Sequence, residues 1–329
     1  MPIQTINSVH MDAHESVFFS RQLEHIKSKV YEKKYPELKA LRLIPVTTET
    51  PAGAKYVTWR VYDSIGVAKL IANYADDLPR VDVTGQEFHA TIRTLGDAYG
   101  YSIDDIKSAK FTGIPLESKK ANAARMAIEQ KLESLAWFGS IPDNIPGFFY
   151  NPNVSQMLAA DAVAVGTDTR WCTAASVPYK TADEILQDMN AIVNQIGTAT
   201  LGIHQANTII MPLRNYAHIA SRPRAATADT TILEFFKRTH PEITTIEPVN
   251  QCDDLVGNSH TAVIGGAVDS TSIMVAYKRD PDVVELEVPE MFNQLPAEPR
   301  NLEFIINCIA KSGGAIFREP LACAIMEGI

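Results

Sequence analysis

Apolar and polar residues alternate with a period of two in two segments of the first third of the chain, a pattern typical of β-strands. In the first segment, Lys55–Asp63, the side chains of Val57, Trp59 and Val61 share one face. The second segment, Glu87–Leu95, alternates in the same way. Each strand reaches about 30 Å at roughly 3.3 Å per residue. The pattern therefore predicts a long β-hairpin.

The 23-residue connection between these strands, Ser64–Gln86, is too apolar for a solvated linker. A loop of that length is uncommon inside a compact domain, and an isolated two-stranded hairpin is only marginally stable in water. Either the hairpin folds back onto its own core, or neighbouring subunits hold it. The apolar residues that such a contact would cover include Val67, Leu70, Ile71 and Tyr74.

Residues 15–33 show helical spacing of apolar residues. Pro36 and Pro45 prevent a long helix in the segment that follows. A short helix on an extended arm is typical of an element that docks onto something else. The apolar stripe of this arm consists of Phe19, Leu23, Ile26 and Val30.

Two further helices are predicted after the hairpin. Ser102, with Asp105 three residues later, has the spacing of a capping box and starts a short helix. A longer helix is predicted over Ser118–Phe138, with Gly139 as the glycine that ends it. About 20 residues at 1.5 Å per residue give it a length of about 30 Å.

Residues 151–280 alternate predicted helices and strands, which indicates a smaller α/β domain within a chain of α+β class. Thr181 is predicted to cap an amphipathic helix that Gly197 closes. The other predicted elements are strands at 207–212, 261–268 and 272–280, helices at 213–221 and 231–241, and terminal strands at 302–311 and 314–326.

The charge balance of the 329-residue chain disfavours tight binding to nucleic acid, because the net charge is −9 and the pI is about 5.4. The four cysteines lack metal-binding spacing, so we interpret them as reduced, mostly buried thiols. The N-terminus has no apolar signal core, and no apolar run approaches the roughly 20 residues of a membrane helix. We therefore expect synthesis and folding in the cytoplasm and no membrane partner.

No sequence motif points to catalysis. Phosphate-binding glycine loops, dinucleotide-binding glycine patterns, zinc-protease motifs and nucleophile elbows are all absent from the sequence. The acidic pairs 76–77, 104–105 and 253–254 have no histidine partner and lack calcium-loop spacing, so loop or helix-start roles are favoured. The scattered histidines, His204 and His218 among them, favour structural roles. No catalytic, cofactor-binding or metal-binding residue is predicted.

Four strings of sequence resemble one family of proteins. They are "RQLEHIKSKVYEKKYPELKALRLIPV", "VYDSIGVAKLIANYADDLPRVDV", "GYSIDDI" and "GGAIFREPLACAIMEGI". Together with the order of the elements, they are similar to the major capsid proteins of tailed bacteriophages, which have the Hong Kong 97-type fold. The resemblance covers nearly the whole chain and does not rest on a catalytic motif.

The resemblance implies a division of the chain into four parts. Residues 1–46 would be an N-terminal arm, and residues 47–98 an extended hairpin loop that lies over an adjacent subunit. Residues 99–150 and 281–329 would form a peripheral domain with a long spine helix. Residues 151–280 would form an axial domain that meets its symmetry mates.

The resemblance also implies a structural function without a cofactor: self-assembly through pentamers and hexamers into an icosahedral head around double-stranded DNA, made in the host cytoplasm. Implied partners are other copies, a separate scaffolding protein unless the chain is already trimmed, a portal, decoration proteins, and DNA through weak contacts. The residues implied at contacts between subunits are Trp59, Val67, Leu70, Ile71, Tyr74, Phe19 and Leu23.

Two alternative functions remain open at this point. An encapsulin-like nanocompartment shell shares the fold but encloses proteins. An α/β enzyme would use residues 64–86 as an active-site lid. A lid would tolerate truncation without loss of assembly, whereas a capsid hairpin would not.

Overall fold

The computed structural model describes residues 36–70, 80–112, 116–163, 168–172, 177–225, 229–253 and 272–329. The predicted arm helix and the predicted strand at 261–268 lie outside these residues. The helices are α1 (Ala40–Leu43), α2 (Ile103–Thr112), α3 (Leu116–Phe138), α4 (Ala182–Ala199), α5 (Leu213–Ser221) and α6 (Ile232–Thr239). The strands are β1 (Val46–Thr47), β2 (Tyr56–Ile65), β3 (Asp82–Thr91), β4 (Arg93–Ser102), β5 (Ser155–Leu158), β6 (Thr208–Met211), β7 (Thr245–Pro248), β8 (Ile273–Tyr277), β9 (Val284–Glu287), β10 (Glu290–Gln294), β11 (Glu298–Arg300), β12 (Glu303–Ser312), β13 (Gly314–Phe317) and β14 (Cys323–Glu327).

The predicted hairpin is confirmed, and its strands are longer than the sequence pattern indicated. Strands β2 and β3 pair antiparallel from Tyr56 opposite Thr91 to Ile65 opposite Asp82. Backbone pairing thus extends into the predicted connection, because it does not depend on apolar alternation. The predicted strand at 87–95 is in fact split between β3 and β4, with Ile92 between them.

Strand β12 forms the centre of a second sheet. It pairs antiparallel with β4 along one edge and with β10 and β11 along the other. Helix α3 packs on this sheet through a cluster of buried residues that includes Ala124 and Ile128. The predicted capping box of α2 is confirmed, because the Asp105 amide donates to Ser102 Oγ at 3.0 Å and the Ser102 amide to Asp105 Oδ2 at 3.3 Å.

Helix α3 starts at Leu116, two residues earlier than predicted, and ends at Phe138 as predicted. Gly139 has a φ of +66°, which suits a glycine at the end of a helix. The chain then folds back, so that the amides of Phe148 and Phe149 donate to carbonyls in the last turn of α3. The aromatic rings of this return pack into the largest buried cluster, beside β8, β9 and β13.

A five-stranded sheet in the order β5-β14-β8-β6-β7 lies beside α4, α5 and α6. The predicted capping box at Thr181 is confirmed, with Glu184 as its partner. The prediction that Gly197 ends this helix is wrong, because α4 continues to Ala199. Gly197 keeps helical backbone geometry, and its carbonyl accepts the Gly202 amide just beyond the helix at 2.8 Å.

The predicted strand at 314–326 is in fact two strands in different sheets. Strand β13 joins β9 and β1 in a three-stranded sheet, whereas β14 joins the five-stranded sheet. Pro320 lies in the short 3₁₀ turn between them, where a proline that cannot donate a ladder hydrogen bond is tolerated. The last strand therefore shares a sheet with parts of segment 151–280, and the four-part division of the chain stays a prediction.

Candidate assembly interface

The outer part of the hairpin exposes many large apolar side chains. Leu70 is 100% exposed and Val67 is 73% exposed. A high density of exposed apolar side chains on one element is typical of an interaction site in a soluble protein. The other exposed apolar residues of the hairpin are Tyr56, Val61, Tyr62, Ile65, Val81, Val83 and Phe88.

Contacts between the two strands brace the inner part of the hairpin. Trp59 stacks on Phe88, its partner across the ladder, with ring centroids 5.8 Å apart and an interplanar angle of 21°. On the adjacent pair, Arg60 Nε donates to Glu87 Oε1 at 2.6 Å. An exposed ion pair contributes little to stability, so the aromatic stack dominates this local support.

A groove lies between the inner part of the hairpin and the body of the subunit, with a cavity volume of about 510 Å³. Trp59 and Phe88 line its hairpin side. Pro146, Tyr150 and Phe317 are among the residues on the opposite side. A concave surface with several aromatic and apolar walls suits the insertion of an apolar side chain from a partner.

None of the described residues at the outer end of the hairpin lines this groove. Trp59 is the fourth residue of β2, and the exposed Leu70 lies eleven residues further along the chain. Strand β2 alone extends about 20 Å from Trp59 to Ile65, at roughly 3.3 Å per residue. The groove therefore remains open to an apolar side chain from a second copy.

The structure separates the predicted contact residues into three groups. Val67 and Leu70 lie near the exposed outer end of the hairpin, and Trp59 lies in the groove near its root. Ile71, Tyr74, Phe19 and Leu23 lie outside the described residues.

The other residues of the groove were not predicted from the sequence pattern. Phe88 could have been found, because the hairpin register places it opposite Trp59. Ile141 and Phe317 are brought to the groove only by tertiary folding, so the sequence pattern carried no signal for them.

The described residues contain no group of three or more metal-ligating side chains that could hold a metal ion. His204 contacts Glu319. The pKa of His218 is lowered, mainly because the ring is buried and to a lesser extent because Arg222 is close. The four cysteines are buried and free, as predicted, and burial raises the pKa of the Cys252 and Cys323 thiols. These groups therefore have the character of core residues.

None of the helices in the described ranges has the length and apolar character of a membrane span.

Comparisons with known proteins match the chain to capsid proteins. A family model described as "Major capsid protein" matches residues 66–329, which include the outer end of the hairpin. The capsid of the myovirus phage XM1 superposes with a TM-score of 0.77 at 17% identity, covering 95% of this chain and 99% of the phage chain.

Two further solved structures share the fold. A chain from Mycobacterium phage Ogopogo matches with a TM-score of 0.61 at 11% identity, over 95% of this chain and 99% of its own. The capsid of a native GTA particle matches with a TM-score of 0.58 at 9% identity, over 94% of this chain and 96% of its own. No curated protein matches the sequence.

Proposed function

Because this chain belongs to the major capsid protein family, and is a structural component of a phage virion rather than an enzyme, we propose that its copies close into an icosahedral head through pentamers and hexamers. The α+β fold is the Hong Kong 97-type capsid fold. Neither the encapsulin-like shell nor the enzyme with a lid is favoured by the family match.

The exposed hairpin supports a specific contact between copies. The outer end of one hairpin, with Val67 and Leu70, would dock into the groove lined by Trp59 on the next copy. Each copy then offers one end and one groove, and these are different surfaces. Such a contact is heterologous, and it closes into a ring when the rotation between copies is that of a pentamer or hexamer.

A shell held by this contact does not need each contact to be strong. Every subunit would both donate a hairpin and receive one, so each subunit would be held at several points at once. Linked contacts of modest affinity give a stable assembly through high effective concentration.

The remaining partners follow from the same proposal. A head of this kind would need a separate scaffolding protein and a portal, and decoration proteins where its lattice requires them. It would assemble in the bacterial cytoplasm. Its DNA contacts would be weak and non-specific. The net charge of −9 supports this, because clustered positive charge is what grips phosphates.

Electron microscopy of the purified full-length chain tests the proposal, with light scattering on the same sample. We expect closed shells, or rings of five and six subunits. A small oligomer that forms no rings, even at high concentration and with added scaffolding protein, would contradict it.

The role of the hairpin end has its own test. Replacing residues 66–81 by a short Gly-Ser turn keeps every described ladder pair, since the ladder ends at Ile65 opposite Asp82. We expect a folded subunit with an unchanged unfolding transition that no longer forms rings or shells. Normal particles from this variant would show that the hairpin end is not an assembly contact.

A further inference from the structure

Strand β9 carries two buried carboxylates on one face. Val284 and Leu286 point into the main core, so Glu285 and Glu287 point to the opposite face of the strand. Glu285 is 4% exposed and Glu287 is 1% exposed. Acidic side chains are rarely buried to this degree unless a cation pairs with them.

Among the described residues, a direct ion pair is seen for one of the two carboxylates. Arg318 Nη2 donates to Glu285 Oε1 at 2.5 Å. Glu287 receives a side-chain hydrogen bond from Thr50, but its Oε1 is buried and has no hydrogen-bond partner among the described residues. An ionised carboxylate in this position would leave a charged oxygen without solvent or a donor, which is costly.

The charged groups around Glu287 come from three elements. Glu285 lies on its own strand, Arg318 follows β13, and Glu49 lies in the segment that leads to the hairpin. Burial raises the pKa of the Glu287 carboxyl, and the like charges of Glu285 and Glu49 raise it further. Thr50 and Arg318 oppose these effects without reversing them.

Glu287 lies where the root of the hairpin meets the body. The Val288 amide donates to the Thr47 carbonyl at 3.0 Å, just before the hairpin, and the Gly313 amide donates to the Glu287 carbonyl at 2.9 Å. A Cβ added at Gly313 would lie 3.2 Å from Glu287 and 3.6 Å from Ile92, the residue that follows the hairpin. The carboxylate is thus packed among the segments that enter and leave the hairpin.

We propose that Glu287 is a proton-sensitive latch at the hairpin root: its protonated form holds the root closed, and its ionised form loosens it. Ionised Glu287 must recover solvent or a donor, which requires the segments around it to separate. Because the hairpin is long, a tilt of 10° at the root moves its end by about 5 Å over a length of about 30 Å. Proton binding at the root would therefore change where the outer end lies.

The sign of the effect follows from the direction of the pKa shift. The folded pKa lies above the unfolded value, so the protonated carboxyl favours the closed root at low pH. This contribution is lost as the pH rises through the folded pKa. The latch is therefore closed below the folded pKa of Glu287 and loosened above it.

Hydrogen exchange of the full-length chain tests the latch. The Ile92 amide donates to the Lys55 carbonyl at 2.9 Å and closes the root, so its exchange rate reports root opening. Glu287→Gln keeps the shape of the protonated acid but cannot ionise. At pH 8 we expect this amide to exchange at least about threefold faster in the wild type than in Glu287→Gln, and at pH 5 equally fast.

Glu327→Gln is the matched control, since Glu327 also has a pKa raised by burial but lies on β14, in a different sheet. This variant should exchange like the wild type at Ile92 at both pH values. Equal rates for the wild type and Glu287→Gln at pH 8 would overturn the proposal. The result does not depend on assembly, so failure of the latch and failure of the proposed function are distinguishable.

A second measurement on the wild type alone keeps the test decisive if the Gln variant folds poorly. Trp137 and Trp171 are fully buried, so acrylamide quenching of tryptophan fluorescence reports mainly on Trp59 near the hairpin root. Quenching should increase between pH 5 and pH 8 under conditions where light scattering shows no change in assembly. Quenching that stays constant over this range would contradict the latch.

Discussion

Lys180 and Asp188 form an ion pair that is almost completely removed from solvent, with side-chain exposures of 0% and 3%. Lys180 Nζ donates to Asp188 Oδ2 at 2.5 Å, and Trp171 Nε1 donates to the same oxygen at 2.8 Å. The pair thus joins the residues before α4 to the interior face of that helix. A buried pair of this kind is sensitive to loss of one partner, because the other charge then remains buried and uncompensated.

Lys180→Met therefore should destabilise the unassembled subunit by about 3–5 kcal/mol. Urea unfolding followed by circular dichroism measures this. Arg125→Gln is the control, since it breaks the exposed ion pair between Arg125 and Glu129 on α3 and should cost less than about 0.5 kcal/mol. Equal losses in the two variants would contradict the importance of burial.

Some of these side-chain contacts could be predicted from the sequence and others could not. Capping residues were predictable, because Ser102 and Thr181 act on amides only three positions away. The partner of Glu285 was not, because Arg318 reaches it only after β9 and β13 pair. A lysine with no exposed surface, such as Lys180, has no sequence signature that separates it from a surface lysine.

At the scale of elements, one of two predicted helix ends is confirmed and the other is wrong. Gly139 was predicted as the end of α3 and adopts the positive φ that this position requires. Gly197 has the same sequence appearance, yet α4 passes through it. The difference lies in the surroundings, because the chain after Gly139 folds back tightly and the space beside Gly197 is open.

Alanine substitutions distinguish these two glycines. A Cβ at Gly139 would lie 2.4 Å from the Ile145 carbonyl oxygen, so Gly139→Ala should destabilise the subunit by about 2–4 kcal/mol. A Cβ at Gly197 would meet no atom within 4 Å, so Gly197→Ala should stabilise it by about 0.5–1 kcal/mol. Thermal unfolding of both variants measures the difference, and shifts of the same sign would show that the turn after α3 is not tightly constrained.

Strand pairing was less predictable than helix capping. The hairpin was found because its two strands follow one another along the chain and apolar and polar residues alternate in both. The split of 314–326 into β13 and β14 depends on which distant strands each half meets, and local pattern does not contain that information. The groove beside Trp59 has the same origin, since its walls come from three distant parts of the chain.

At the scale of the whole molecule, the exposed end of the hairpin contacts no apolar surface among the described residues of its own subunit. Its apolar residues stand at the far end of a ladder of ten residue pairs, whereas the groove that suits them lies near the root. This separation is what allows identical subunits to form a continuing series of contacts. A hairpin that reached its own groove would give a closed monomer.

Leu70→Asp tests this contact at a single position. Leu70 is fully exposed in the subunit, so the substitution should leave the free energy of unfolding unchanged within about 0.5 kcal/mol. In an assembled shell it would place a charge in an apolar groove, so we expect ring and shell formation to fall at least about tenfold, as measured by light scattering and sedimentation.

Gln86→Glu adds the same charge to the same hairpin, at an exposed polar residue of β3, and should assemble normally. If both variants assemble equally poorly, the hairpin acts through its net charge rather than through its apolar end. If both assemble normally, Leu70 lies outside the contact. Loss of assembly in Leu70→Asp alone, with unfolding unchanged, is the result expected when the apolar surface of the hairpin is completed only by a second copy.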